Sequence, residues 1–294
     1  MKKSHTTCIV RIPATTANLG PGFDSLGVAL QLYNRVRIDL ASPSKAPAGM
    51  IAAAAKTFFS AAKLVPFPYS ATITDEVPIS RGLGSSVTVR IGVMTGLNYL
   101  VGSPLKPEEI LKWVIAEEGH PDNAVPAFYG GFAACGKGRF VRAEVAHGLK
   151  FITLIPNFEL ETKKARAILP KQVPLVHAVA NLQNTALITA AFLQRNYAML
   201  EGLLVDRLHQ PYRSKLIPCW KGVDQAAHEA GALGFYLSGA GSTLIALATS
   251  NVDDIAESMV KAAAAAKVAC DIKVLTADNV GTVLESREQR VERR

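Results

Sequence analysis

The 294-residue chain has no cysteines at paired CxxC spacing; its four, Cys8, Cys135, Cys219 and Cys270, lie far apart. Three of them stand in or beside apolar runs, where a free thiol behaves as a small hydrophobe. A disulfide scaffold and a zinc site are therefore disfavoured, and a reducing compartment is expected. The basic start, MKKSHTTCIVRI, is followed by no apolar h-region, so no secretory signal is read there. A bilayer span needs about 20 mostly apolar residues. The longest charge-free run, Gly231 to Val252, is interrupted by Gly231, Gly234, Gly239 and Gly241 and reads as strand, glycine loop, strand. The expected location is cytoplasmic, with no membrane partner. There is no repeat on the order of 20–50 residues, and no basic stripe interleaved with aromatics, which argues against nucleic acid.

What is present is a globular composition, 49% hydrophobic and 19% charged, long enough for two ordinary domains with real cores. The net charge of +8 suits anionic ligands without choosing among them. Much of the excess lies in the tail, where Arg287, Arg290, Arg293 and Arg294 alternate with Glu288 and Glu292; this reads as a solvated helix end.

Apolar alternation predicts strands at Cys8–Ile12, around Val28–Leu32 and again at Val36–Leu40, then at Ser70–Thr74. An Ala-rich helix is expected over Met50–Lys63, and helical spacing resumes at Val87, Ile91, Met94 and Leu97. Pro107 with Glu108 and Glu109 opens another helix, which Gly119 stops. Strands follow at Phe132–Cys135, Phe140–Val145 and Phe151–Ile155, then helices at Val173–Gln194 and Tyr197–Leu204. Strands near Gly234–Leu237 and Thr243–Ala248, a helix over Asp253–Val268 and a strand at Asp271–Leu275 complete the pattern. The expected fold class is α+β in two halves, residues 1–148 and 149–294.

Five short segments carry candidate chemistry. Pro78-Ile79-Ser80-Arg81-Gly82-Leu83-Gly84-Ser85-Ser86 lies between a strand and a helix. Glycines there let backbone N–H groups turn to a phosphate, and the helix start adds positive potential; Ser85 and Ser86 can cap the helix or reach a phosphate-bound Mg²⁺. A Walker-like string at Gly131–Lys137 has Gly138 where the metal-binding hydroxyl belongs and no helix after it, so it is set aside. Pro13 to Asp24 places an amide, Asn18, and a carboxylate, Asp24, on a glycine-shaped loop, which fits either a ligand grip or a plain turn. Glu117-Glu118-Gly119-His120-Pro121-Asp122-Asn123 gathers acids, an imidazole and an amide at a helix exit. Thr162 and Arg166 share a helix face if that stretch is helical, and Arg213 offers a second guanidinium fork. Ser238–Ser242 is a glycine loop that approaches either a ligand or its own hairpin.

In this order the segments resemble the three motifs of the GHMP kinases: Pro13–Asp24, Pro78–Ser86 and Ser238–Ser242. ATTANLGPGFDSLGVAL, EGHPDNAVPAFYGG, TKKARAILP and YRSKLIP are similar in particular to the homoserine kinase family within them, over most of the chain from Ile9 to about Leu275. The resemblance implies an N-terminal domain like ribosomal protein S5 domain 2, a C-terminal ferredoxin-like domain, and a site between them. It implies ATP and Mg²⁺ as cofactors and L-homoserine as the small-molecule acceptor, and leaves a homodimer open. Carried over by position, Asn18, Asp24, His120 and Asn123 hold the acceptor's polar groups. Arg166 and Arg213 clamp its carboxylate, and Thr162, Asn123 and Asp24 lie at the transfer point. Arg81, Gly82, Leu83, Gly84, Ser85 and Ser86 cradle the triphosphate. Ser86 and an acid of the Glu117-Glu118 pair, with Glu118 preferred, meet the metal. Two features depart from the family pattern. Val87-Thr88 follow the glycine loop in place of small alanines, and the segment after Leu40 is compressed to ASPSKAPAGM, which implies a thinner adenine pocket. Another GHMP small-molecule kinase, or a non-catalytic ligand-binding paralogue, are the alternatives.

Overall fold

The computed structural model describes residues 6–40 and 47–285; the basic tail from Arg287 and most of the Ser42–Ala48 segment lie outside them. The first half is built on a six-stranded sheet. Its long pair, β1 (Thr7–Ala17) and β2 (Leu26–Asp39), runs antiparallel through an irregularity between Pro13 and Ala14. The two alternating stretches expected on either side of Asn34 are one strand. Asn34 stays in register opposite Ile12, and its buried amide accepts from the backbone N–H groups of Glu76 and Val77 and donates to Thr88 Oγ1. A polar residue mid-strand is thus fully satisfied and does not break the ladder.

Next come α1 (Gly49–Ala62), β3 (Ser70–Asp75), α2 (Ser85–Leu100) and α3 (Pro107–Glu118). A short α4 (Ala124–Tyr129), which the sequence pattern did not predict, carries Pro126 in its first turn, where a missing N–H costs little. The hairpin β4 (Phe132–Gly136) and β5 (Arg139–Ala143) contains the Walker-like string, which is strand and turn.

The second half has a four-stranded antiparallel sheet ordered β7-β8-β6-β9. It is assembled from β6 (Lys150–Pro156), α5 (Thr162–Ala167), α6 (Leu175–Gln194), α7 (Gln210–Arg213), α8 (Trp220–Glu229), β7 (Gly234–Leu237), β8 (Leu244–Ala248), α9 (Val252–Ala265) and β9 (Cys270–Leu275). α8 and α9 cover one face of this sheet. The helix expected over Tyr197–Leu204 shrinks to one 3₁₀ turn, Tyr197–Leu200, because Arg195 and Gly202 both adopt left-handed backbone around it. The last strand, β10 (Val283–Glu285), returns to the first sheet and pairs with β1, although the expected division at 148/149 assigned that segment to the second half.

The other face of the second sheet packs on the first half. Leu26, Val28 and Phe132 share one buried cluster with Phe151, Tyr236 and Leu247, and Phe132 stacks on Phe192 of α6 with centroids 4.3 Å apart. A common apolar core fixes the two halves against each other, so a cleft at its rim keeps its shape. All four cysteines are free, and burial pushes the thiols of Cys8 and Cys135 up to about 12. Among the described residues no helix is long and apolar enough to cross a membrane.

Candidate active site

Three loops meet at the rim of the shared core. Thr15 N–H donates to Leu83 O at 3.1 Å, Thr243 N–H to Arg81 O at 3.1 Å, and Gly239 N–H to Ala17 O at 3.1 Å. Ser238 Oγ donates to Gly82 O at 2.7 Å. The Ser238–Ser242 loop is therefore a strut beneath the other two. Gly82 has φ +78°, and a Cβ there would fall inside contact distance of Ser238 O; Gly84, at φ +72°, would meet Thr15 Oγ1. Only glycine fits either place.

Above this strut a cleft of about 550 Å³ opens between the halves. One end is the start of α2. Gly84 precedes its first residue in left-handed conformation and no side chain caps it, so the first-turn amides of a 16-residue helix remain for an anion. Arg81, Gly82, Gly84, Ser85 and Ser86 line the cleft there. Leu83 does not: its side chain is buried in the core. The wall beyond is apolar, from Ala48, Met50, Ile51, Ile73, Ile79, Val87 and Val89.

Ser86 Oγ donates to Glu118 Oε2 at 3.0 Å, so the preferred acid of the pair is the one beside the hydroxyl. Glu117 also lines the cleft but is engaged elsewhere, accepting from Arg90 Nε at 2.8 Å and from Thr57 Oγ1. A hydroxyl and a carboxylate beside the start of α2 are the hard oxygen donors that suit Mg²⁺. Arg90 also donates to Glu118, which offsets the charge of the acid pair.

The opposite end gathers the polar groups. Asp24, His120 and Asp122 bring one oxygen or nitrogen each to within 4.8 Å of the others. His120 Nδ1 is 2.7 Å from Asp122 Oδ1. Burial pulls the imidazolium down, but the hydrogen bond and charge of Asp122, with the charge of Asp24, outweigh it and leave His120 above its ordinary value. Asp122 was counted among the acids of its segment but given no role of its own, because its pairing with His120 shows only in the folded chain. Asn123 Oδ1 accepts from Thr15 Oγ1 at 2.7 Å. Thr162, the first residue of α5, faces the same space.

Asn18, Arg166 and Arg213 all line the cleft, and each also makes contacts within the protein that the sequence does not indicate. Asn18 is buried and braces the loops, donating to Gly239 O at 2.8 Å and accepting from Asp24 N–H at 3.0 Å. Arg166 points its fork at Asp24, Nη2 to Oδ1 at 2.6 Å and Nη1 to Oδ2 at 3.0 Å, so Asp24 and Arg166 face each other across the cleft and not a ligand alone. Arg213 is 2% exposed and has no carboxylate partner among the described residues. It donates to Ala165 O at 3.1 Å and Gly239 O at 3.1 Å, both neutral. Burial, and then the charge of Arg166, lowers it to about 10. It remains a cation at neutral pH, lining the cleft.

Family models for "GHMP kinases N terminal domain" and "GHMP kinases C terminal" match residues 49–131 and 188–265. A homoserine kinase of Moorella thermoacetica is 38% identical over 94% of this chain and 99% of its own length. One of Clostridium beijerinckii is 41% identical over 81% of this chain and 85% of its own. A crystal structure of homoserine kinase from Cytophaga hutchinsonii superposes with a TM-score of 0.88 at 28% identity, covering 97% of this chain and 99% of that one. A mevalonate kinase structure, at 16% identity and TM-score 0.69, shares the fold. With its sheets, its uncapped helix start at the cleft and these relatives in accord, the chain belongs to the GHMP kinases and, within them, to the homoserine kinase family.

Proposed function

We propose that the chain transfers the γ-phosphoryl group of ATP to the side-chain hydroxyl of L-homoserine, releasing ADP and O-phospho-L-homoserine for threonine biosynthesis. The observation that carries this reading is Arg213. A guanidinium so deeply buried is costly unless an anion meets it, and its hydrogen-bond partners in the protein, two carbonyls and the His209 ring, supply none. A carboxylate that reaches Arg213 supplies that anion; a sugar brings none, and mevalonate, which does carry a carboxylate, has no ammonium for the acids Asp24 and Asp122 to meet.

The remaining groups divide the work. Asp122 and Asp24 face the substrate's ammonium, Asp24 being paired with Arg166 and Asp122 with His120 through one of its two oxygens. Arg166 has five N–H donors and gives two to Asp24, so others remain for the carboxylate. Asn123 and Thr162 orient the hydroxyl. At the other end the backbone of Gly82–Ser86 cradles the triphosphate, with Arg81 at its edge. Ser86 and Glu118 hold Mg²⁺, which neutralises phosphate charge when bound. Asn18 acts through the loop it braces.

In the transfer, the hydroxyl oxygen forms a bond to Pγ while the bond from Pγ to the bridging oxygen of ADP breaks, and the hydroxyl proton leaves to water or to the transferred phosphate. Such a step needs in-line positioning and charge neutralisation more than a strong base. Asp24, committed to Arg166, orients the substrate and does not serve as that base. ADP release measured with L-homoserine, mevalonate and galactose tests the reading: a preference for homoserine supports it, and ATP turnover indifferent to the acceptor, or ATP binding without turnover, sinks it.

A further inference from the structure

The carboxylate receptor is held by two aromatic side chains that the transfer itself does not use. The Phe23 ring stacks on the His209 imidazole, centroids 5.0 Å apart and planes 26° apart. The Arg213 and Arg166 guanidinium carbons lie 5.1 Å and 5.3 Å from the same ring centre. Two cations on one ring repel each other, and the negative face of the ring offsets part of that cost.

His209 is fully buried. Its Nε2 donates to Gly20 O at 2.8 Å, which leaves the Nδ1 lone pair for Arg213 Nη1, 3.5 Å away. Burial, with the charge of Arg213, outweighs Asp206 and lowers His209 below its ordinary value, so the ring is neutral. The turn carrying both residues is anchored by Asp206, whose carboxylate accepts from the backbone N–H groups of Leu208, His209 and Gln210 and from Asn181 Nδ2. The other end of the stack is pinned as well: Pro21 O accepts from Asn181 Nδ2 and Thr185 Oγ1 of α6. Every direct partner of Arg213 is thus an uncharged acceptor.

We propose that Phe23 and His209 are positioning residues, an aromatic pair that fixes Arg213, with Arg166 beside it, while leaving Arg213 without a bonded carboxylate of the protein and open to the acceptor's. This rests on the homoserine reading above. A carboxylate in place of the imidazole would occupy Arg213 from within the protein, and loss of the ring face would let the two guanidiniums drift apart.

The test is steady-state kinetics on the full chain with Mg²⁺, varying L-homoserine and ATP separately, beside thermal melts. His209→Gln and His209→Glu have nearly the same shape and differ in charge. His209→Glu is expected to raise KM for homoserine ~10-fold or more, and His209→Gln no more than ~3-fold, with KM for ATP within ~2-fold in both. A structural role alone treats the two alike, so equal KM for homoserine in Gln and Glu overturns the proposal. Phe23→Leu and Phe23→Tyr form a second pair on a residue that is only half-buried. Leucine is expected to raise KM for homoserine ~10-fold and tyrosine to restore it. Parallel rises in both substrates' KM, or no rescue by tyrosine, overturn the role of the ring. If the unaltered chain shows no homoserine-dependent ADP release, the functional reading falls and takes this proposal with it; turnover without the predicted KM split overturns this proposal alone.

Discussion

Asp24 and Arg166 stand 142 residues apart in sequence and meet through both oxygens and both terminal nitrogens of the fork. One comes from the loop after β1 and the other from α5, so the pair ties the two halves together across the cleft. Both side chains are about a third exposed, and solvent screening limits what the pair adds to stability to about 1 kcal/mol. Its larger effect concerns the ligand. Asp24→Asn and Arg166→Gln should each raise KM for homoserine, and the double variant should lose less than the sum, because the pair acts as a unit. Additive losses in a double-mutant cycle on KM would show that the two act independently.

Arg213 is the sterner case. Arg213→Ala removes a buried cation that its ligand must meet, a loss of about 2–5 kcal/mol when one partner of such a pair is truncated. KM for homoserine should rise by two orders of magnitude or more, and KM for ATP should stay within a few-fold. Arg213→Lys should rescue poorly, because Nε and Nη1 already donate to separate carbonyls and an ammonium cannot reproduce that fork. Equal loss of affinity for both substrates would remove Arg213 from the acceptor site.

The acids at the end of α3 separate by partner. Glu118→Gln should lower kcat by ~10²-fold and raise the Mg²⁺ concentration needed for half-maximal rate, since the carboxylate beside Ser86 is lost. Glu117→Gln, which disturbs only Arg90 and Thr57, should cost less than ~10-fold. A Mg²⁺ titration of both variants decides the assignment.

His120 titrates in a direction that stability can report. Its folded value lies above the ordinary 6.5, so protonation favours the folded chain. That contribution is complete below pH 6.5 and disappears as pH rises through the folded value. Urea unfolding of the unaltered chain and of His120→Asn should therefore differ more at pH 6 than at pH 8. A difference that grows with pH would mean that burial, and not Asp122, governs this ring.

Gly82→Ala tests the strut beneath the phosphate loop. The substitution meets both a left-handed φ and the Ser238 carbonyl, and backbone cannot swing aside as a side chain can. Loss of several kcal/mol of stability and of ATP binding is expected. A well-folded variant with normal KM for ATP would show the loop to be more plastic than its contacts suggest.

Local chemistry was legible where one segment carries its own signal. Pro107, the acids after it and Gly119 delimit α3, and glycines at Gly82 and Gly84 mark a turn that only they can make. The loop from Pro13 to Asp24 was recognisable as a unit, but not that Asn18 is its brace, because that follows from Gly239, 221 residues away. Asn34 looked like a break between strands, yet its satisfaction by Glu76, Val77 and Thr88 makes it a strand interior. The turn at Tyr197–Leu200 looked helical because its apolar spacing serves the core and not a helix face.

The sequence by itself determined the α+β class, since glycine turns, capping residues and apolar periodicity are local and survive in the order of the residues, while the family and the expected site residues came from the resemblance of its ordered motifs to the GHMP kinases. The tertiary structure alone decided partnership: that Arg166 answers to Asp24, Glu118 to Ser86, and Arg213 to no carboxylate among the described residues. Partnership depends on charges brought within a few ångströms from distant parts of the chain, and at that range burial and neighbouring charge, which no linear pattern encodes, set what each group can do.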